Sequence, residues 1–115
     1  MANLFIDDVR NVPDGWEVAR TSAEAIAMIR ANPPYYWISF DHDLGMLRDG
    51  SIDEVRKVIK ELWLHGIEHD KLPEQFSVHS DNPEGVKWIL GTMENISKHV
   101  RPVNRVYKPK IPYRK

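Results

Sequence analysis

Residues 35–45 read Tyr35-Tyr36-Trp37-Ile38-Ser39-Phe40-Asp41-His42-Asp43-Leu44-Gly45, an apolar run that stops abruptly in acid. A run that is continuous rather than alternating suits a strand buried on both faces, here Tyr35 to Phe40. The same pattern recurs before and after it. Leu4-Phe5-Ile6 ends in Asp7-Asp8, and Pro73 to Val78 ends in His79-Ser80. Asn11 to Gly15 is turn material, and Trp16 to Ala19 reads as an edge strand. Thr21 and Glu24 have capping-box spacing, so a helix opens there with Ala25, Ile26 and Ile29 on its buried stripe. Asn32-Pro33-Pro34 ends it, because proline cannot continue the hydrogen-bond ladder.

Beyond the quoted stretch, Leu44 to Gly50 reads as a loop and Ser51 with Glu54 as a second capping box. Ile52, Val55, Val58, Ile59, Leu62 and Trp63 follow at helical spacing, with Gly66 as the expected stop. Asn82-Pro83 has the signature of an N-cap and first helical residue, ahead of Val86, Ile89, Leu90, Met93 and Ile96. From about residue 101 the chain is basic and proline-interrupted, with one short strand expected around Val106-Tyr107. Strands alternating with amphipathic helices predict an α/β domain whose mostly parallel central sheet is covered on both faces.

The chain of 115 residues is the length of one domain, spanning 1–115. Sixteen basic residues oppose 17 acidic ones, so no global positive field draws the protein to nucleic acid or an anionic membrane. The absence of cysteine excludes a disulfide-linked partner, a thiolate metal site and a cysteine nucleophile. No secretory leader pattern is present, and the apolar stretches fall short of the ~20 residues of a membrane span. The expectation is a cytoplasmic protein with no membrane association.

In a parallel sheet the three polar clusters emerge at one edge, beyond the carboxyl ends of the strands, where ligands bind. Asp7, Asp8, Asp41 and Asp43 would repel one another there, and a divalent ion, Mg²⁺ or Mn²⁺, is the simplest relief. Asp7, Asp8 and Asp41 are the expected ligands. His42 and His79 can exchange protons near neutral pH. The helix start at Asn82-Pro83-Glu84-Gly85 offers backbone N–H groups to a phosphate, which Gly85 lets approach closely. Taken singly, these residues have plainer readings: an acidic pair as a solvated turn, Asn82 as a cap. It is their conjunction at three strand ends that points to a site. His65, His69 and His99 lie near helix ends and carry no assigned chemistry, and the basic tail, Arg101 to Lys115, suits either a polyanion or plain solvent.

These residues also resemble a response-regulator receiver domain, a flavodoxin-like three-layer fold. Asp7-Asp8 matches the acidic pair after its first strand, Asp41 its phosphoacceptor, Ser80 its hydroxyl residue and Lys108-Pro109 its lysine–proline pair. The departures from an ordinary receiver resemble the cyclic-phosphate processing receiver-like family. Its marks are D-D-x-R (Asp7, Asp8, Arg10), F-D-H-D-L-G (Phe40 to Gly45) and H-S-x-N-P-x-G (His79 to Gly85), and all three are present.

The resemblance implies a metal-dependent phosphoesterase acting on a cyclic phosphate of a nucleotide or an RNA end. Asp7, Asp8 and Asp41 would hold Mg²⁺ or Mn²⁺. His42 and His79 would serve as base and acid, and Asp43 would orient a ligand or a histidine. Arg10, Ser80, Asn82, Gly85 and Lys108 would contact the substrate. Two rival readings share these residues: a stand-alone receiver phosphorylated on Asp41, and a protein that binds a cyclic nucleotide without turnover. Asp41-x-Asp43 also fits the acid pair of haloacid-dehalogenase-like phosphatases or Toprim domains, but neither accounts for Asp7-Asp8 as well.

Overall fold

The computed structural model describes residues 2–110. Five parallel strands form the central sheet: β1 (Asn3–Ile6), β2 (Glu17–Ala19), β3 (Trp37–Phe40), β6 (Gln75–Val78) and β7 (Asn104–Arg105), in the order β2-β1-β3-β6-β7. Helix α1 (Ser22–Ala31) joins β2 to β3, α2 (Arg56–Glu61) precedes β6, and α3 (Pro83–His99) joins β6 to β7. This is the receiver-like α/β architecture expected from the sequence. The last strand forms at Asn104–Arg105, two residues before the expected Val106-Tyr107. Residues 111–115, the end of the basic tail with Arg114 and Lys115, lie outside the described residues.

The connection order decides which face the helices occupy. From β2 to β3, β3 to β6 and β6 to β7 the chain steps across the sheet in one direction. Right-handed crossovers of that kind place every helix on the same face. Accordingly α1 packs on α2, and α2 on α3. The main core lies under them, where Leu4, Ile6, Ile38, Phe40 and Phe76 meet Ile29, Ile59, Ile89 and Met93. Only β1 to β2 steps the other way, and its connection is a short loop rather than a helix. Among the described residues the opposite face is therefore not covered by helices as the sequence pattern suggested. Trp16 lies there, edge-on to Phe5 at 6.2 Å and to Trp37 at 4.6 Å between ring centroids.

The predicted caps form at both long helices. Thr21 accepts from the Glu24 amide at 3.1 Å, and Asn82 accepts from the Gly85 amide at 3.0 Å. The expected loop and second capping box do not. Residues 43–54 instead form an antiparallel hairpin, β4 (Asp43–Met46) and β5 (Ile52–Glu54). Ser51 bonds backward to Asp49 Oδ1 through its amide at 2.9 Å and its hydroxyl at 2.6 Å, a turn contact rather than a cap. Buried Asp53 secures the hairpin by accepting from the Ser22 amide at 2.8 Å and its hydroxyl at 2.6 Å. Helix α2 starts four residues later than the pattern suggested, which leaves Ile52 exposed. Gly66 does not end it. The helix widens through Leu62–Gly66, where the Ile67 amide reaches back to the Leu62 carbonyl, and the chain turns away at Asp70, in the left-handed region at φ 53°.

Candidate functional site

Strands β1, β3 and β6 are parallel and in register, with Ile6, Phe40 and Val78 aligned. The residues that follow them therefore meet at one edge. Asp7, Asp41 and His79 each offer a ligand atom there, all within 4.8 Å of one another. Arg10, Asp41, Asp43, Ser80, Asp81, Asn82 and Pro83 line a cleft of about 370 Å³ over this edge.

Asp7 is completely buried. Its Oδ1 accepts from the amides of Val9 and Arg10 at 2.9 and 2.8 Å, and its Oδ2 accepts from His79 Nε2 at 3.1 Å. Burial alone would push this carboxyl up, but the His79 bond and the two amides outweigh it and hold it down to about 2. Asp41 moves the other way. Burial, then the charge of Asp7, push it up to about 6, against the opposing pull of Ser80, His79 and Arg10. One of the two carboxylates is thus fixed as a charge and the other is poised to exchange a proton near neutrality.

Arg10 ties the edge together. Its guanidinium donates to the His79 carbonyl at 2.7 Å and to Asp81 at 2.5 Å, and its Nε lies 3.6 Å from Asp7. Arg20, which the sequence reading did not single out, clamps the same loop by donating to the carbonyls of Asp7 and Arg10 at 3.2 and 2.8 Å. Ser80 Oγ accepts from the Asn82 amide at 3.1 Å.

Both histidines are held rather than free. His79 stacks on Phe5 at 4.2 Å with planes 7° apart, and Ser39 occupies its Nδ1 at 2.7 Å. His42 is buried, with Nδ1 on Asp43 at 2.9 Å and Nε2 accepting from Arg56 Nε at 3.2 Å. Each ring nitrogen of His42 and His79, the expected base and acid, has a partner in the protein, so either ring would have to exchange one of these bonds to reach a substrate. His42 sits on α3, where a Cβ on Gly85 would come within 2.3 Å of its ring. That contact gives Gly85 a packing reason of its own. Asp43 lines the cleft and takes bonds from His42 and from Asn82 Nδ2, the latter at 3.1 Å. Burial would raise its proton affinity, but those two bonds lower it.

Asp8 and Lys108 stand apart. Asp8 lies over Gly45, whose φ of +88° strains any residue with a side chain and whose Cβ position is 3.1 Å from Asp8 Oδ2. It is outside the Asp7–Asp41–His79 group. Lys108 lines a separate cavity of about 780 Å³ with Val78, Arg105, Val106 and Tyr107.

The family profile of the cyclic-phosphate processing receiver domain matches residues 2–95. The chain belongs to that family. No curated protein and no solved structure matches the chain significantly. No helix of this receiver domain, among the described residues, is long and apolar enough to cross a membrane.

The receiver's donor set suits a hard divalent ion in two respects. Carboxylates are its preferred ligands, and a cation there would offset the burial and the Asp7 charge that lift Asp41. His79 fits less well as a ligand, because its Nε2 is already engaged with Asp7. Ser39, Ser77, Arg20, Asp53 and Arg56 were missed from the sequence. Each acts through a partner distant in the chain, so no local motif announces them.

Proposed function

We propose that the protein is a phosphoesterase that opens a cyclic phosphate of a nucleotide or an RNA end, with Asp41 as the reacting carboxylate. The observation that carries this reading is the placement of Asp41, with its raised proton affinity, on the wall of a cleft that also holds Arg10, Ser80 and Asn82. Ionised Asp41 accepts a proton from water as the water oxygen bonds to phosphorus. It returns that proton to the ester oxygen as the ring P–O bond breaks. Arg10, Ser80 and Asn82 supply donors for the phosphate oxygens. Asp7 and Asp41 would hold Mg²⁺ or Mn²⁺, which when bound neutralises charge on the phosphate. The cleft volume of about 370 Å³ suits a mononucleotide-sized group.

The test is a screen of the protein with Mg²⁺ or Mn²⁺ against cyclic mononucleotides, cyclic dinucleotides and RNA ending in a 2′,3′-cyclic phosphate. Ring opening of one class, lost in Asp41→Asn, is the expected result. One alternative has its own observation: Asp41 follows β3, where the receivers it resembles accept a phosphoryl group. Stable labelling of Asp41 by acetyl phosphate, with no cyclic substrate turned over, would make the protein a signalling receiver instead.

A further inference from the structure

On the face away from the helices, a file of hydrogen bonds runs through the sheet. Trp37 Nε1 meets Ser77 Oγ at 2.9 Å, Ser77 Oγ meets Ser39 Oγ at 2.8 Å, and Ser39 Oγ meets His79 Nδ1 at 2.7 Å. His79 Nε2 then meets Asp7 Oδ2 at 3.1 Å. Ser39 and Ser77 are register partners on β3 and β6, and both are completely buried.

Hydroxyls can point either way, but the ends of this file cannot. The indole nitrogen only donates, so Ser77 must accept from Trp37. Among the described residues Ser39 is the acceptor in reach of the Ser77 hydrogen, so Ser39 sends its own hydrogen to His79 Nδ1. The ring proton then sits on Nε2 and points at Asp7. A carboxylate only accepts, so the far end agrees with this direction. We propose that Trp37, Ser77 and Ser39 form a one-way hydrogen-bond relay that fixes His79 as the Nε2–H tautomer and so positions Asp7 beside Asp41. None of the three touches the cleft wall. They are positioning residues, acting through His79 on a carboxylate that lies behind Asp41.

The device has a physical rationale. A buried imidazole with an unfilled nitrogen could rotate or change tautomer, and Asp7 would then lose the donor on Oδ2. Filling Nδ1 from a chain whose direction is set by an indole 40 residues away in sequence from Ser77 removes that freedom. The role in turnover rests on the phosphoesterase reading, whereas the tautomer does not.

The experiment is long-range ¹H–¹⁵N NMR of histidine-labelled protein, with neither substrate nor metal. Wild-type His79 is expected to show a proton on Nε2 and an acceptor at Nδ1. Ser39→Ala removes the last donor and Trp37→Phe the one that sets direction, and each should shift His79 toward the other tautomer or a mixture. A wild-type ring protonated on Nδ1, or a tautomer unchanged in both variants, would overturn the relay. The wild-type spectrum decides even where a variant fails to fold. If the protein turns over a cyclic phosphate, Trp37→Phe should lower kcat about 10–100-fold at constant KM, the usual effect of losing an outer-shell partner. An unchanged kcat alongside a shifted tautomer would remove the positioning role. A protein without turnover fails the phosphoesterase reading alone.

Discussion

Asp41 has opposite consequences for activity and for stability. Its folded proton affinity, at about 6, lies above the ordinary carboxylate value of 3.8. A group raised in this way adds stability that is fully present below its unfolded value and is lost as pH rises through about 6. At neutral pH the ionised carboxylate therefore works against the fold, on the order of 3 kcal/mol. Asp41→Asn should raise the melting temperature at pH 7–8, and the difference from wild type should close as pH falls to about 4. The same substitution should cost about 10²–10⁴-fold in turnover, and wild-type kcat with Mg²⁺ bound should climb through an apparent pKa below the metal-free value of about 6, because the cation favours the ionised carboxylate. Millimolar Mg²⁺ should raise the wild-type melting temperature above that pH and not below it, because only the ionised form binds. Asp41→Asn should not respond. Thermal melts across pH with and without Mg²⁺ check the stability expectations, and steady-state kinetics of wild type and Asp41→Asn across pH check those on turnover. The site's carboxylates were legible in the sequence because each follows an apolar strand. Their opposite proton affinities were not, since burial raises both carboxyls and Asp7 is brought back down chiefly by His79, which is 72 residues away.

At the scale of elements, the fit between the β4–β5 hairpin and α3 decides local stability. His42, between β3 and β4, fills the space above Gly85, so Gly85→Ala must push the ring off its bonds to Asp43 and Arg56. The expected cost is about 1–3 kcal/mol. Gly91→Ala on the same helix meets nothing within 4 Å and should stabilise by roughly 0.5–1 kcal/mol. Chemical denaturation of the two variants makes the comparison; equal effects would show that His42 yields freely. Helices α1 and α3 were readable from their caps and stripes, which are local. The hairpin was not. Ser51 and Glu54 have the spacing of a cap, yet Asp53 between them is drawn into the core by Ser22, 31 residues away, and the chain extends instead. A buried carboxylate with good partners outweighs a local preference worth about 1 kcal/mol.

For the molecule as a whole, the two faces of the sheet hold together differently. Helices cover one, whereas on the other aromatic side chains shield a polar file. Trp16 packs there against Phe5 and Trp37, close to Ser39, Ser77 and His79. Trp16→Ala should cost about 2–4 kcal/mol and speed hydrogen exchange at the β3 and β6 amides, more than at those of α1. Uniform exchange across the sheet and helices would contradict this division. The sequence by itself determined the alternation of strands and helices, the acidic and histidine stops of β1, β3 and β6, and, through the parallel rule, their meeting at one edge. These follow from periodicity and chain continuity, which are local. Tertiary structure alone decided that the helices share a face, because handedness and strand order act only on the assembled sheet. It alone decided that the histidines hold carboxylates rather than face the cleft, because burial and hydrogen-bond partners belong to packed neighbours and not to neighbours in sequence.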